Sequence, residues 1–471
     1  MKTTHCDVAV VGAGPAGLSA ALRAAEAGAN VVVVDEYAKP GGQYFRQPQA
    51  RFTKIDERVL GKSFRAGRSL LDAVEREARI DLRTGTLVWG AFDDGVLELE
   101  SRDACERLVG QRIVVATGAY ERPIPFRGWT LPGVMTAGAA QATLKAQFVL
   151  PGRRVLMSGT GPFQLPVATQ LSIAGAKIVE ILECRRATEF FRPFPRPWRH
   201  LDKLIEAQSY FAALVARRIP LVYGETVVEA CGDGAVEEAV VAPVGPDGRT
   251  DLSKTRRVAV DAILTNFGFV PGLQLARLLG CATVWDAPGA CWVAECDEDQ
   301  RSSKESILLA GEVTGIAGHR VAMAEGEVAG LRAAADLGLL SQEAFDRQAH
   351  EPKRRRARHQ EFADHLKRSF SPLPGLYACI PEDTVVCRCE EVVAERVRAL
   401  AKEWDGSLRA VKQCTRAGMG QCQGRICEPT VARLASLATG RPLEAIGRDT
   451  ARPQIKPVSL RALADPISDG P

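Results

Sequence analysis

A short apolar run, Asp7–Val11, stops at Gly12-Ala13-Gly14-Pro15-Ala16-Gly17, and residues suited to a helix follow from Leu18 to Ala27. A second apolar run, Asn30–Val34, then ends in Asp35-Glu36. Strand, glycine turn, helix and second strand make a βαβ unit of about 30 residues, which fixes the chirality and the layering of whatever surrounds it. The glycines have separate tasks. Gly12 permits the tight turn, Gly14 lets a pyrophosphate approach the backbone, and Gly17 lets the helix pack closely on the strand. Pro15 and Ala16 open the helix, whose free N–H groups face the phosphates. Asp35 stands 23 residues after Gly12, where an acid binds ribose hydroxyls. The segment predicts a bound dinucleotide.

A second unit follows. Arg154–Met157 reads as a strand, Gly159-Thr160-Gly161-Pro162 as a turn, Leu165–Ala174 as a helix and Lys177–Leu182 as a strand ending at Glu183. Gln164 holds the third glycine position, so close helix–strand packing is less assured. Glu183 favours a free ribose hydroxyl, whereas Arg185 and Arg186 could meet a phosphate. NAD(P), an adenine nucleotide such as ATP, and an empty scaffold all remain open for this unit. Strands are also expected at Arg112–Val115, Ala262–Thr265 and Ile307–Ala310, with a helix from His319 that carries Ala322, Ala324, Gly326, Ala329 and Gly330. Those small residues allow close packing against a cofactor, a sheet or the core.

Residues 351–371 hold seven Lys/Arg against three Asp/Glu, which equals the +4 net charge of the whole chain. The remainder is neutral, so nothing argues for nucleic acid as a partner. The basic stretch reads first as a solvated helix and linker, with docking to an acidic partner or covering of cofactor phosphates as alternatives. Arg192-Pro193-Phe194-Pro195-Arg196-Pro197-Trp198 reads as a rigid loop. No apolar run approaches the ~18 residues of a membrane span, and Met1–Val11 is no signal peptide. A cytoplasmic location is the default, with membrane association through a complex left open.

Thirteen cysteines should then be reduced, and six of them (Cys379, Cys387, Cys389, Cys414, Cys422 and Cys427) fall in the last 93 residues. C-x-C, 32 residues and C-x₄-C can hold four thiolates on two irons. Buried structural cysteines and a zinc site are the alternatives, but zinc knuckles use C-x₂₋₄-C pairs on both sides. A [2Fe–2S] cluster at Cys387, Cys389, Cys422 and Cys427 is the preferred reading. Gly418, Gly420 and Gly424 would turn backbone N–H groups toward its sulfurs. Cys379 and Cys414 lie close to the pattern but off it.

Gly12–Gly17 with Asp35, then Gly41-Gly42-Gln43, Ala116-Thr117-Gly118 and Gly311-Glu312, resemble the flavoproteins with two dinucleotide-binding domains. The resemblance implies FAD in the first domain. Its pyrophosphate would lie at Gly12–Gly17 and Gly42-Gln43, its adenosine ribose at Asp35 or Glu36, and its ribityl chain near Glu312, with Thr117 and Gly118 alongside. Disulfide reductases of that family carry a redox-active cysteine pair. Gly41–Arg46 contains no cysteine, and Cys184 and Cys231 stand alone. The tail resembles the BFD-like [2Fe–2S] domain, with four residues inside the last cysteine pair where the prototype has two. Together with Ala119–Phe126 and Gly128–Val134, the chain resembles the large subunits of multi-subunit amine dehydrogenases. Those include the B component of hydrogen cyanide synthase, the A component of opine oxidase and the alpha component of hydroxyproline dehydrogenase.

The expected fold is α/β: two Rossmann-like domains of the glutathione/thioredoxin reductase-like flavoprotein type plus a small C-terminal BFD-like domain. The expected boundaries are 1–120 and 262–340 for the FAD domain, 121–261 for the second nucleotide domain, 341–377 for a basic linker, 378–440 for the cluster domain and 441–471 for a tail. The resemblance implies an electron-transfer subunit that relays electrons from a glycine-oxidase-like FAD subunit, which carries the amine site, to an external acceptor. A small ferredoxin-like subunit is a further expected partner. A self-sufficient NAD(P)H-dependent reductase and a nucleotide-binding scaffold are the competing readings. No catalytic acid or base is assigned; His319 is a candidate for proton handling or for structural packing.

Overall fold

The computed structural model describes residues 2–52, 57–92, 95–191 and 197–464; Arg192–Arg196 of the proline-rich loop lie outside them. The first sheet is built on five parallel strands in the order 80–84, 31–35, 2–11, 105–115 and 307–309, and 87–92 and 96–100 add an antiparallel meander. Strand Cys105–Val115 pairs along one edge with 2–11 and divides its other edge between two neighbours. Its first half pairs with 96–100, while Ile113–Val115 pair with Ile307–Leu309. Strand Val31–Asp35 is buried along its whole length, as expected of a parallel strand covered on both faces.

Helix Pro15–Glu26 crosses this sheet and packs on helix His319–Asp336. A Cβ at Gly326 would lie 2.1 Å from the carbonyl oxygen of Ala16, and one at Gly330 would lie 2.2 Å from that of Ala20. The small-residue stripe therefore brings two helices together at backbone contact.

The second sheet is parallel throughout, in the order 221–223, 177–183, 154–159, 262–266 and 134–136. Its fourth strand corrects the sequence boundary. Residues 262–266 pair with 154–159 and belong to the second domain, although the sequence division placed them in the first. The chain crosses between domains on an antiparallel ribbon of Ala119–Glu121 and Phe269–Pro271. A three-stranded sheet, 225–231, 238–243 and 256–259, packs on the second domain through Val227, Ala239 and Val241.

The basic stretch differs from its expected linker. Gln342–Ser369 is a 28-residue helix laid along helix His319–Asp336. Arg355 pairs with Glu327 at 2.7 Å and Arg356 with Glu325 at 2.9 Å, and those carboxylates are 11% and 3% exposed. Buried carboxylates need such partners, so Arg355 and Arg356 serve the interior, whereas Arg354 stays at the surface with Glu351.

The C-terminal domain contains helices 394–403, 408–415 and 428–439 with a two-stranded ribbon of 385–387 and 392–393. Val386, Val397, Val411 and Leu434 form its core, which is continuous with Ile124, Val244 and Phe267 of the neighbouring domain. Among the described residues no helix is long and apolar enough to cross a membrane.

Candidate functional site

A cleft of about 1880 Å³ runs between the two nucleotide-binding domains, lined by Gly12, Asp35 and Glu312 on one side and by Gly161, Glu183 and Gln164 on the other. Small-molecule sites usually occupy roughly 300–1,000 Å³, so a dinucleotide fits with room to spare.

On the first side, Gly12 has φ +107°, and the position of a Cβ on Gly17 would lie 1.8 Å from the carbonyl oxygen of Gly12. The Asp35 carboxylate accepts from the N–H of Ala13 at 2.6 Å and of Tyr37 at 2.8 Å. Burial raises its pKa, while these two N–H groups oppose the rise. Glu36 also lines the cleft and forms an ion pair with Lys456, while Asp35 is the acid held against the glycine turn. Gly42 comes against Gly14, with 2.8 Å between its missing Cβ and the Gly14 Cα. Gln43 donates to the Tyr37 hydroxyl at 2.9 Å. Thr117 Oγ1 donates to the Gly272 carbonyl at 2.6 Å, and the Gly272 N–H donates to the carbonyl of Gly118 at 2.8 Å. These contacts fasten the turn to the interdomain ribbon.

Gly311 donates its N–H to Glu325 at 2.9 Å. Glu312 accepts from the N–H of Gly318 at 2.8 Å, at the start of helix His319–Asp336. Burial pushes the Glu312 carboxyl up to about 7. In the FAD-free protein this has a stability consequence with a defined sign. From the ordinary value of 4.5 up to about 7 the unfolded chain ionises first, so wild-type stability falls as pH rises, and above that the penalty is constant. Glu312→Gln keeps the acceptor for Gly318 and removes the ionisation. Thermal unfolding of the apoprotein should show the variant gaining on the wild type by about 3 kcal/mol between pH ~5 and ~8; a constant difference would reject this placement.

His319 stacks on Tyr44 with 3.9 Å between ring centres. Burial, Lys203 and Arg320 lower its pKa to about 3, leaving it neutral near pH 7. It also lines the cleft.

On the second side, Gly161 has φ +110° and donates its N–H to Glu183 at 2.9 Å, and Glu183 also accepts from the N–H of Arg185 at 3.0 Å. Burial raises the pKa of Glu183. Gly159 lies directly against Asn266, whose carbonyl oxygen would be 1.8 Å from a Cβ. The two turns are alike in their acid and differ in their helix. Helix Gln164–Ile173 begins five residues after Gly159, whereas the first begins three after Gly12. Gln164 is buried with no partner for its Oε1. The Arg185 guanidinium donates to Glu189 at 2.7 Å and to the Ser371 carbonyl at 2.5 Å, while Arg186 is exposed.

The four cysteines of the tail come together. Cys387 ends strand Val385–Cys387, Cys389 follows in the turn, and Cys422 and Cys427 bracket the turn before helix Glu428–Thr439. Their thiols meet pairwise: Cys387 with Cys427, Cys389 with Cys422, and Cys422 with Cys427. Cys387 is lowered to about 6 by the Cys427 thiol first, aided by the N–H groups of Gly418, Glu390 and Cys389. Cys422 is lowered to about 5 by the Cys427 thiol, with help from the N–H groups of Ile426 and Gly424. Cys427 is raised well above its ordinary value by the Cys387 and Cys422 thiols and by burial. Among the described residues no three His, Cys, Asp or Glu side chains converge on one metal ion. Cys379 instead accepts from the N–H of Thr250 at 3.4 Å, and Cys414 is exposed on helix Leu408–Thr415.

The motif Ala119–Val134 acquires a task that its composition did not signal: it carries the cluster domain. Trp129 Nε1 donates to the Val385 carbonyl at 2.6 Å, and Thr430 Oγ1 donates to that of Pro123 at 3.3 Å. Arg425, between two of the cysteines, lies over the Tyr120 ring at 5.5 Å. Arg425 and Ile426 also line the main cleft. Two further walls complete the cleft, one missed from the sequence (helix 201–216) and one in the basic stretch, for which covering of cofactor phosphates was only an alternative reading. Lys203 and Tyr210 of helix Leu201–Ala216, and His359, Phe362 and Lys367 of helix Gln342–Ser369, face the cleft.

Two nucleotide-binding domains sharing a cleft, with a four-thiol domain reaching into it, define an oxidoreductase that uses FAD and a [2Fe–2S] cluster. The family description "Pyridine nucleotide-disulphide oxidoreductase" matches residues 6–326, and "BFD-like [2Fe-2S] binding domain" matches residues 385–436. The A component of opine oxidase from Rhizobium meliloti is 33% identical over 97% of this chain and 87% of that protein. The hydrogen cyanide synthase component HcnB of Pseudomonas aeruginosa is 34% identical over 92% and 93%. The crystal structure of L-proline dehydrogenase from P. horikoshii shares the fold, with a TM-score of 0.68 over 98% of this chain and 80% of that one at 22% identity. The chain belongs to the pyridine nucleotide-disulphide oxidoreductase family, in the group of HcnB and the opine oxidase A component that joins this fold to a BFD-like domain.

Proposed function

We propose that this chain is the electron-transfer subunit of a heteromeric amine or amino-acid dehydrogenase, acting with an opine-, hydroxyproline- or glycine-type substrate that a partner flavin subunit oxidises. The observation that carries the reading is the position of Arg425 and Ile426: they lie between Cys422 and Cys427 and line the same cleft as Gly12 and Glu312. When bound, FAD would supply chemistry that takes electrons in pairs and releases them singly, and a [2Fe–2S] cluster takes them one at a time, so the two together would let a two-electron oxidation feed a one-electron carrier.

The chain's own residues hold and insulate that site. Gly12, Gly14 and Gly17 open the backbone to the pyrophosphate, and Asp35 is pre-set at the end of its strand. Glu312 can hold a proton near neutral pH at the mouth of helix His319–Asp336. Trp129, Thr430 and Arg425 keep the cysteine turns fixed relative to the cleft. Relatives that are named as subunits of an opine oxidase and of a hydrogen cyanide synthase support a partner that bears the amine site, and a glycine-oxidase-like FAD subunit and a small ferredoxin-like subunit are the proposed partners.

Stopped-flow absorbance tests the reading. NADH alone should leave the flavin band unchanged for minutes. The native complex, given an opine, hydroxyproline or glycine, should bleach it, and a dye acceptor should restore it. Rapid bleaching by NADH without partner or amine would replace the relay with a self-sufficient reductase.

A further inference from the structure

Residues 441–471 carry no motif in the sequence, but the tail runs back from the cluster domain across the first sheet. Asp449 receives Arg277 at 3.3 Å and Lys412 at 2.6 Å. Ile455, buried, donates its N–H to the Trp89 carbonyl at 2.9 Å, and its own carbonyl accepts from Arg425 at 3.0 Å. Lys456 forms an ion pair with Glu36 and is 18% exposed. The Ser459 N–H donates to the Glu100 carboxylate at 3.2 Å. The tail is thus pinned at both ends and in the middle.

Ile455 and Lys456 line the main cleft, and they do so at the end that also includes Asp35, Glu36, Tyr37 and Thr86. In a βαβ nucleotide site the adenosine half lies at the end of the second strand, beside its acid. We propose that residues 449–459 form a closing wall of the first-domain dinucleotide site, with Ile455 as apolar cover for the adenosine half and Lys456 as a cation beside it. Three observations converge on this assignment. The backbone of the wall is fixed to the first sheet, through Trp89. Its cation is held in place by the residue that follows Asp35. Its other face is tied to Arg425, so the cluster domain carries the wall to the cleft. A bound dinucleotide brings a charged pyrophosphate and a flat apolar base, and the wall supplies the matching groups. The inference rests on placing the dinucleotide at Gly12–Gly17 and Asp35.

The full-length apoprotein, titrated with FAD by quenching of flavin fluorescence and with ADP by calorimetry, tests it. Lys456→Ala should weaken both ligands about tenfold, the size of one charge-assisted contact, and Lys456→Arg should restore most of the loss. A chain ending at Thr450 should lose more than either. Hydrogen exchange at the Ile455 amide in the wild type should slow when ADP is added, a measurement independent of whether the shortened chain folds. Unchanged affinities in Lys456→Ala, or tail exchange indifferent to ADP, would overturn the wall. Gly14→Val serves as the control. If it abolishes FAD binding while Lys456→Ala does not matter, the site stands and the wall falls; if it leaves FAD binding intact, the site assignment itself is wrong.

Discussion

Cys427→Ser should remove the visible iron–sulfur absorbance and the bound iron, and should cut amine-dependent dye reduction by the native complex more than ~100-fold, since even outer partners of metal ligands are worth 10–100-fold. Cys427 is 2% exposed, and both Cys387 and Cys422 share hydrogen bonds with its thiol. It therefore joins the two halves of the ligand set, C-x-C on one side and C-x₄-C on the other. Serine matches its shape, so helix Glu428–Thr439, which begins directly after it, keeps its start. FAD content should stay near one per chain, because the glycine turn and Asp35 belong to a different domain from the four thiols. The domain should remain docked, as Trp129 and Thr430 hold it through hydrogen bonds that do not involve the cysteines. Iron analysis, flavin absorbance and dye reduction on one preparation decide the matter. Retention of stoichiometric iron would remove Cys427 from the ligand set, and full dye reduction without iron would remove the cluster from the path.

Gly17→Ala should be the most damaging single methyl in the first domain. The new Cβ would be placed 1.8 Å from the Gly12 carbonyl oxygen and 3.2 Å from a Val10 methyl. Neither neighbour can yield easily. Gly12 sits in the turn at φ +107°, and Val10 is fully buried in the parallel sheet. Overpacking of this kind costs about 1–3 kcal/mol, and relief requires the helix to lift from its strand. Lifting moves the N–H groups of the turn that are to face the pyrophosphate, so FAD affinity should drop ~100-fold or more, beyond the stability loss itself. The [2Fe–2S] absorbance should persist. Flavin and iron content of the purified variant, with its thermal midpoint, check all three expectations; a variant with wild-type flavin content would show that the helix start is not the phosphate site.

These two variants also mark what the sequence could and could not disclose. The turn at Gly12–Gly17 was legible because every requirement is local: the strand, the glycines, the helix and Asp35 lie within about 30 residues. That the four tail cysteines would come together was legible for a different reason, since thiol spacing is written in the chain even when the contacts are not. The basic helix was misread because Arg355 and Arg356 find their partners 28 and 31 residues away. A cluster of arginines that outnumbers its one local acid, Glu351, looks solvated until the fold supplies Glu325 and Glu327. The strand at 262–266 was recognised but given to the wrong sheet, because an apolar parallel strand carries no mark of its neighbours. Ile455 and Lys456 gave no local signal, as their contacts are with Trp89, Arg425 and Glu36.

The pairing of Ile113–Val115 with Ile307–Leu309 also sets an order of events during synthesis. The last parallel strand of the first sheet emerges about 190 residues after the strand it must join. Helix His319–Asp336, against which Pro15–Glu26 packs, comes later still. All five strands of the second sheet, 134–136 to 262–266, are complete before either. On the ribosome the middle of this chain can therefore fold while its beginning waits. The first nucleotide-binding domain, although begun by the first residues to be made, is finished only once the ribosome has moved well past residue 336.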